Sequence, residues 1–116
     1  MTIVDMRPIR DLVLLSEKDS IQTYINLIES DLKRHLSNLT AGIQQSDKRK
    51  RAEALHGIYQ VAASFGMSAL QQRTGTLQQK NNADLLSVGK DEMEVLENLM
   101  RESLVYIHEQ AGQEIS

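Results

Sequence analysis

The 116-residue sequence contains no cysteine and no tryptophan, and it has only one phenylalanine, one proline and six glycines. Without cysteine there can be no disulfide bonds or thiolate metal sites, and this composition is typical of the reducing cytoplasm. So little glycine and proline argues against an all-β domain, which needs many turns. The apolar residues are mainly Leu, Ile, Val, Ala and Met, which favour helix packing. We therefore expect residues 1–116 to form a single all-α domain.

Charge and hydropathy narrow the possible partners. The formal net charge of −3 argues against a general nucleic-acid binder, which needs clustered Lys and Arg. No apolar run approaches the roughly 20 residues of a membrane span. Asp5, Arg7 and Arg10 interrupt any signal-peptide pattern at the N-terminus. These features predict a cytoplasmic protein that binds neither nucleic acid nor membrane.

Apolar residues recur at steps of three and four along most of the chain, which is the pattern of amphipathic helices. The predicted elements are a short helix capped by Asp5, a long helix from Ile21 to about Gln45, one capped by Ser46 or Asp47 and ended by Gly66, one starting at Ser68, a loop over Asn81 to Gly89, and a last helix from Asp91.

Four long helices, each with one apolar face, bury all four faces together in an antiparallel four-helix bundle. The short N-terminal helix is predicted to form a lid over one end of this bundle. The tail after about residue 111 is predicted to fray.

The helix from Ala52 to Gly66 carries the most informative pattern. On a helical projection, one broad stripe is apolar, and the opposite side carries Glu53, His56, Gln60 and Ala63. The residues of the apolar stripe are Ala52, Leu55, Ile58, Tyr59, Ala62 and Phe65. His56 is therefore predicted to point outward.

In this stretch the sequence resembles the histidine-containing phosphotransfer (HPt) family. The family pattern is His-x-x-Lys-Gly, then a run of small residues, and a Gly ten positions after the His. Here His56, Ala62 to Ser64, Phe65 and Gly66 fall on those positions. Tyr59 stands where the family usually has Lys, and Gln60 where it usually has Gly or another small residue.

The resemblance implies that His56 accepts a phosphoryl group from a receiver-domain aspartyl phosphate and passes it to another receiver Asp. A neutral imidazole nitrogen needs no activating base for this attack. The implied partners are response-regulator receiver domains and a hybrid sensor histidine kinase. The receiver supplies Mg²⁺, so the chain is expected to bind no cofactor or metal of its own. It would be a phosphoryl carrier rather than an autonomous enzyme, since no nucleotide-binding loop is present.

Tyr59, Gln60 and Gln78 are candidates to support the phosphoryl group through hydrogen bonds. Arg49, Glu53, Ala63 and Ser64 are the candidate docking residues for a partner. The basic run around Arg49 has two readings that the sequence leaves open. It is either a solvated helix start or a patch that steers an acidic receiver onto this face.

Two other functions compete with the phosphorelay hypothesis. The first is an HPt-like adaptor that docks a receiver or kinase without phosphorylation, in which case Tyr59 and Gln60 would mark the loss of transfer. The second is the phosphoacceptor domain of a histidine kinase, which usually has an acidic residue after the His and a Pro further on, and both are missing here. His35 and His108 are interpreted as ordinary solvated residues, and the three histidines lack metal-ligand spacing.

Overall fold

The computed structural model describes residues 4–15, 18–84 and 90–115. Within these residues the fold is all-α, with five helices and no strand, which confirms the predicted fold class. The helices are α1 (Arg7–Leu15), α2 (Lys18–Gln44), α3 (Lys48–Ser64), α4 (Ser68–Asn82) and α5 (Lys90–Ile115).

The connections fix how neighbouring helices run. Residues 45–47 join α2 to α3, and residues 65–67 join α3 to α4. Connections this short turn the chain back on itself, so consecutive helices are antiparallel. Helix α2 packs along α3 and α3 packs along α4, while α5 contacts α1, α2 and α4. Helix α3 therefore lies between α2 and α4.

One face of every helix contributes to the hydrophobic core, as the periodicity predicted. The buried hydrophobic residues are Val4, Met6, Ile9, Ile21, Ile25, Ile28, Leu32, Leu39, Ala54, Leu55, Ile58, Ala62, Met67, Leu70, Leu77, Leu96, Met100, Leu104 and Ile107. In α4, Thr74 is buried between Leu70 and Leu77, and its hydroxyl donates to the Leu70 carbonyl (2.6 Å).

The buried face of α3 is rotated from the predicted stripe. Ala54 and Gly57 are buried, whereas Ala52, Tyr59 and Phe65 are only half-buried. The cause is the position of α3 between two helices, because burial extends around its flank toward α2. The sequence pattern alone does not predict burial of Gly57, because glycine has no side chain and is not counted in an apolar stripe.

The N-terminal segment packs against the turn between α3 and α4. The backbone N–H of Asp5 donates to the Gly66 carbonyl (2.5 Å), and Gly66 has φ +73°. A Cβ at Gly66 would collide with the carbonyl oxygen of Asp5. As the predicted cap of α1, Asp5 accepts from the Arg7 backbone N–H (3.0 Å). Side-chain hydrogen bonds from Arg7 lower the pKa of the Asp5 carboxyl to about 2.

Three predicted boundaries differ from the structure. Asn81, expected at the start of a loop, is a buried residue of α4, which continues through Asn82. The predicted loop residues 85–89 lie outside the described residues. Helix α5 begins at Lys90, so Asp91 is inside the helix rather than its cap. The third difference is the start of α2, which lies at Lys18 rather than at Ile21. The backbone of α5 is helical as far as Ile115, and the fraying predicted after about residue 111 stays a prediction.

Among the described residues, none of the helices is both long enough and apolar enough to cross a membrane.

Candidate functional site

His56 lies near the middle of α3, and its side chain is exposed as predicted. Both ends of this helix are well defined. Asp47 is the N-cap, and its carboxylate accepts from the Lys50 backbone N–H (3.1 Å). At the other end, Phe65 is the C-cap and Gly66 follows in the left-handed conformation, which confirms the predicted helix end. His56 is therefore carried on a rigid support.

A surface depression of about 580 Å³ extends from His56 toward the C-terminal end of α3. Gln60, Ala63 and Ser64 line it and are exposed, as the projection predicted for Gln60 and Ala63. Apart from His56, the lining residues are uncharged, and Ala63 and Ser64 are small. A partner group can therefore approach His56 over a low, neutral surface.

Tyr59 forms one wall of this depression and is half-buried. Its hydroxyl oxygen accepts a hydrogen bond from Nε2 of Gln71 on α4 (3.3 Å). The ring lies across α4 at Gly75, where a Cβ would stand 3.4 Å from Cε2 of Tyr59. Because a Cβ at this distance would be in ordinary van der Waals contact with the ring, the packing does not itself require a glycine in the interior of α4.

Gln71 is the α4 residue whose side chain hydrogen-bonds to Tyr59, whereas the predicted phosphoryl-supporting role of Gln78 stays a prediction. Gln78 is half-buried, and its side chain makes no hydrogen bond within the part of the chain that the structure describes. Gln71 could have been found from its position one helical turn before Gly75, because both then lie on the same face of α4. The sequence does not show that this face meets Tyr59.

Glu53, the charged residue nearest to His56 along α3, is paired with Arg49. Nε of Arg49 lies 3.2 Å from a carboxylate oxygen of Glu53, and both side chains are exposed. This pair places a positive charge beside the one carboxylate that precedes His56 by a single turn. The charge of Glu53 is therefore partly offset by that of Arg49, and the pair is weak because both side chains are largely in water.

Two other basic residues of the run, Lys48 and Arg51, contact the end of α4. Nζ of Lys48 lies 2.8 Å from a carboxylate oxygen of Asp84, just beyond the end of α4. Nε of Arg51 donates to Oδ1 of buried Asn81 (3.0 Å), and Nδ2 of Asn81 donates to the Lys48 carbonyl (3.2 Å). Two of the four basic residues in this run thus tie α3 to α4.

His35 is not an ordinary solvated residue, contrary to the sequence interpretation. Its half-buried imidazole covers Gly57, the residue that follows His56, and a Cβ on Gly57 would collide with the ring. Burial lowers the pKa of His35, the charge of Arg34 lowers it further, and Asp31 acts in the opposite direction. His35 is therefore a packing residue between α2 and α3.

His108 lies at the surface with 35% of its side chain exposed, as the sequence interpretation expected. Its Nε2 lies 4.0 Å from a carboxylate oxygen of Glu29, and its Nδ1 lies 3.5 Å from Nε2 of Gln22. These contacts join His108 on α5 to two residues of α2, and none of the three is on α3, the helix that carries His56.

In the described parts of the chain, no group of three or more His, Asp or Glu residues has an arrangement that could hold a metal ion. Comparison of the chain with protein-family models, with curated proteins and with solved structures found no match.

Proposed function

We propose that this chain is a histidine phosphotransfer intermediate of a multistep two-component phosphorelay. The observation that carries the proposal is the setting of His56. It is an exposed imidazole in the middle of a firmly capped helix, next to a depression lined by small and neutral side chains. Phosphoryl transfer depends mainly on positioning and charge neutralisation, so a protein that presents a histidine in this way can act as a carrier.

The proposal includes the finer architecture, an antiparallel four-helix bundle in which α1 acts as a lid. The packing pairs support it, because α2, α3, α4 and α5 follow one another in a closed order in which α5 returns to α2. The contact between Asp5 and Gly66 brings the segment before α1 to the end of α3. A bundle of this kind holds α3 on both flanks and leaves its outer face to a partner.

The proposed reaction transfers one phosphoryl group without net loss of atoms. The lone pair of an unprotonated ring nitrogen of His56 attacks the phosphorus of a receiver aspartyl phosphate. A P–N bond forms while the P–O bond to the receiver Asp breaks, and the electron pair leaves with the carboxylate. The other ring nitrogen of His56 keeps its proton. The second transfer reverses these changes on another receiver Asp.

The chain offers neutral groups to the phosphoryl oxygens in place of the usual lysine. Tyr59 and Gln60 lie three and four residues after His56 and line the same depression, so both carry donors within one turn of the acceptor. Gln78 remains a further candidate from α4. Mg²⁺ bound to the receiver would supply most of the charge neutralisation during the transfer.

The docking surface that we propose surrounds His56 along the exposed side of α3. Ala63 and Ser64 offer a flat approach for a receiver domain, and the pair of Arg49 and Glu53 lies at the opposite end. The partners would be receiver domains and the hybrid sensor histidine kinase that supplies the phosphoryl group. Because those proteins exchange phosphate inside the cell, we place this activity in the cytoplasm.

The test is phosphorylation of His56 by a phosphorylated receiver domain, followed by intact mass at neutral pH. We expect a gain of one phosphoryl group that is labile to acid and stable to base. His56→Gln should abolish the gain, because glutamine has no nucleophilic nitrogen. His35→Gln is the matched control and should still be labelled. Labelling that persists in His56→Gln would contradict the site.

One observation favours a second function, that of a phosphorylation-independent adaptor. No Lys or Arg lines the depression beside His56, among the residues that the structure describes. A protein that only docks a receiver needs no cation at this point. The adaptor would bind a receiver equally well before and after His56→Gln and would gain no phosphoryl group from any phosphorylated receiver that it binds.

A further inference from the structure

The hydrogen bond between Gln71 and Tyr59 determines which further hydrogen bonds the tyrosine hydroxyl can form. A tyrosine hydroxyl has one proton to donate and lone pairs to accept. Nε2 of Gln71 donates to the Tyr59 oxygen (3.3 Å), so this contact uses a lone pair. The proton of the Tyr59 hydroxyl therefore remains available for another acceptor.

Tyr59 lies one helical turn after His56, and the two side chains border the same depression. Side chains on an α-helix lean toward its N-terminus, over the turn that contains the residue three positions earlier. For Tyr59 that residue is His56, and both line the same depression. Tyr59 also lines a second depression on α4, together with Gln71 and Gly75, so it is the wall between the two.

We propose that Gln71 is a positioning residue that holds Tyr59 as a hydrogen-bond donor to the phosphoryl group on His56. A hydroxyl that donates to an anionic phosphoryl oxygen forms a charge-assisted hydrogen bond, which is stronger than a neutral one. In this arrangement the Tyr59 O–H group, held in place by Gln71, acts at the position where the HPt family usually has a lysine. The role of Gln71 rests on the proposed function of His56.

The experiment measures transfer from a phosphorylated receiver domain to four variants and to the unmodified protein. The variants are Tyr59→Phe, Gln71→Leu, the double variant, and Gln72→Leu as the matched control on an exposed neighbouring glutamine. Tyr59→Phe keeps the ring and removes only the hydroxyl. We expect it to slow transfer about tenfold, which corresponds to roughly 1.4 kcal/mol. Gln71→Leu should also slow transfer, and Gln72→Leu should not.

The double variant separates positioning from a merely structural role. If Gln71 acts only through Tyr59, its removal has no further effect once the hydroxyl is gone, and the double variant transfers at the rate of Tyr59→Phe. Tyr59→Lys in the Gln71→Leu background provides a rescue, because a lysine ammonium does not depend on Gln71. Rescue to at least the rate of the unmodified protein is expected.

Specific results overturn this inference without touching the proposed function. If the unmodified protein is labelled on His56 and Tyr59→Phe transfers at the same rate, the donor role of Tyr59 is wrong. If Gln71→Leu slows transfer equally with and without the tyrosine hydroxyl, Gln71 does not act through Tyr59. By contrast, absence of labelling in the unmodified protein overturns the proposed function itself, and the inference with it.

Discussion

At the scale of single residues, His35 gives the fold a dependence on pH. Its imidazole is packed against Gly57, and burial lowers its pKa below the ordinary value of 6.5. A histidine with a lowered folded-state pKa binds fewer protons in the native state than in the unfolded state. Stability is therefore retained above about pH 6.5 and is lost as the pH falls below it.

We predict that the urea midpoint of unfolding falls between pH 7 and pH 5 and that His35→Gln reduces this fall. Glutamine fills part of the same space and does not titrate. Asn38→Ala is the control, since Asn38 lines a surface depression together with His35 and carries no ionisable group. An unchanged pH dependence in His35→Gln would show that the contact with Gly57 does not govern protonation.

At the scale of helices, buried Asn81 joins the end of α4 to the start of α3. Its side chain accepts from Arg51 and donates to the carbonyl of Lys48, which uses both ends of the amide. Lys48 adds an ion pair with Asp84 beyond the end of α4. A cation near a helix C-terminus is favourable, so this arrangement stabilises the end of α4 as well as the junction.

We predict that Asn81→Ala lowers the free energy of unfolding by about 2 kcal/mol, because it leaves two part-buried polar groups without their partner. Asn82→Ala is the matched control at an exposed neighbour and should change stability by less than about 0.5 kcal/mol. Chemical denaturation at pH 7 measures both. Equal effects of the two substitutions would mean that the hydrogen bonds of Asn81 contribute little.

The same helices show what the sequence could predict and what it could not. Periodicity was sufficient for the all-α class, for the buried faces of α4 and α5, and for the exposure of His56, because apolar spacing reports which face avoids water. It gave the buried face of α3 only in part. On the side of α3 that faces α2, His35 covers Gly57, and a glycine adds nothing to an apolar pattern.

Contacts between polar residues on different helices lay beyond the sequence pattern. Gln71 and Asn81 are ordinary polar residues in a helical projection, and nothing in their spacing identifies Tyr59 or Arg51 as the partner. Those partners depend on which helix faces are adjacent and at what register, and tertiary packing determines both. Gln78 therefore stays a candidate donor from α4, and the hydrogen bond from Gln71 to Tyr59 is visible only in the folded chain.

At the scale of the whole molecule, the chain presents His56 without enclosing it. The two flanks of α3 are occupied by α2 and α4, and its ends are fixed by Asp47 and by the turn at Gly66. The exposed side of α3 is therefore the surface on which a partner can reach the imidazole. Under the proposed function, the bundle keeps this helix rigid while the receiver brings Mg²⁺ and the aspartyl phosphate.

The most direct test of the account is a relay through His56 between two receiver domains. The protein is first labelled by a phosphorylated receiver, purified, and then mixed with an unphosphorylated receiver in Mg²⁺. The account predicts that the phosphoryl group leaves His56 and appears on the Asp of the second receiver, and that His56→Gln supports neither step. Labelled protein that only hydrolyses, or a transfer that continues in His56→Gln, would contradict it.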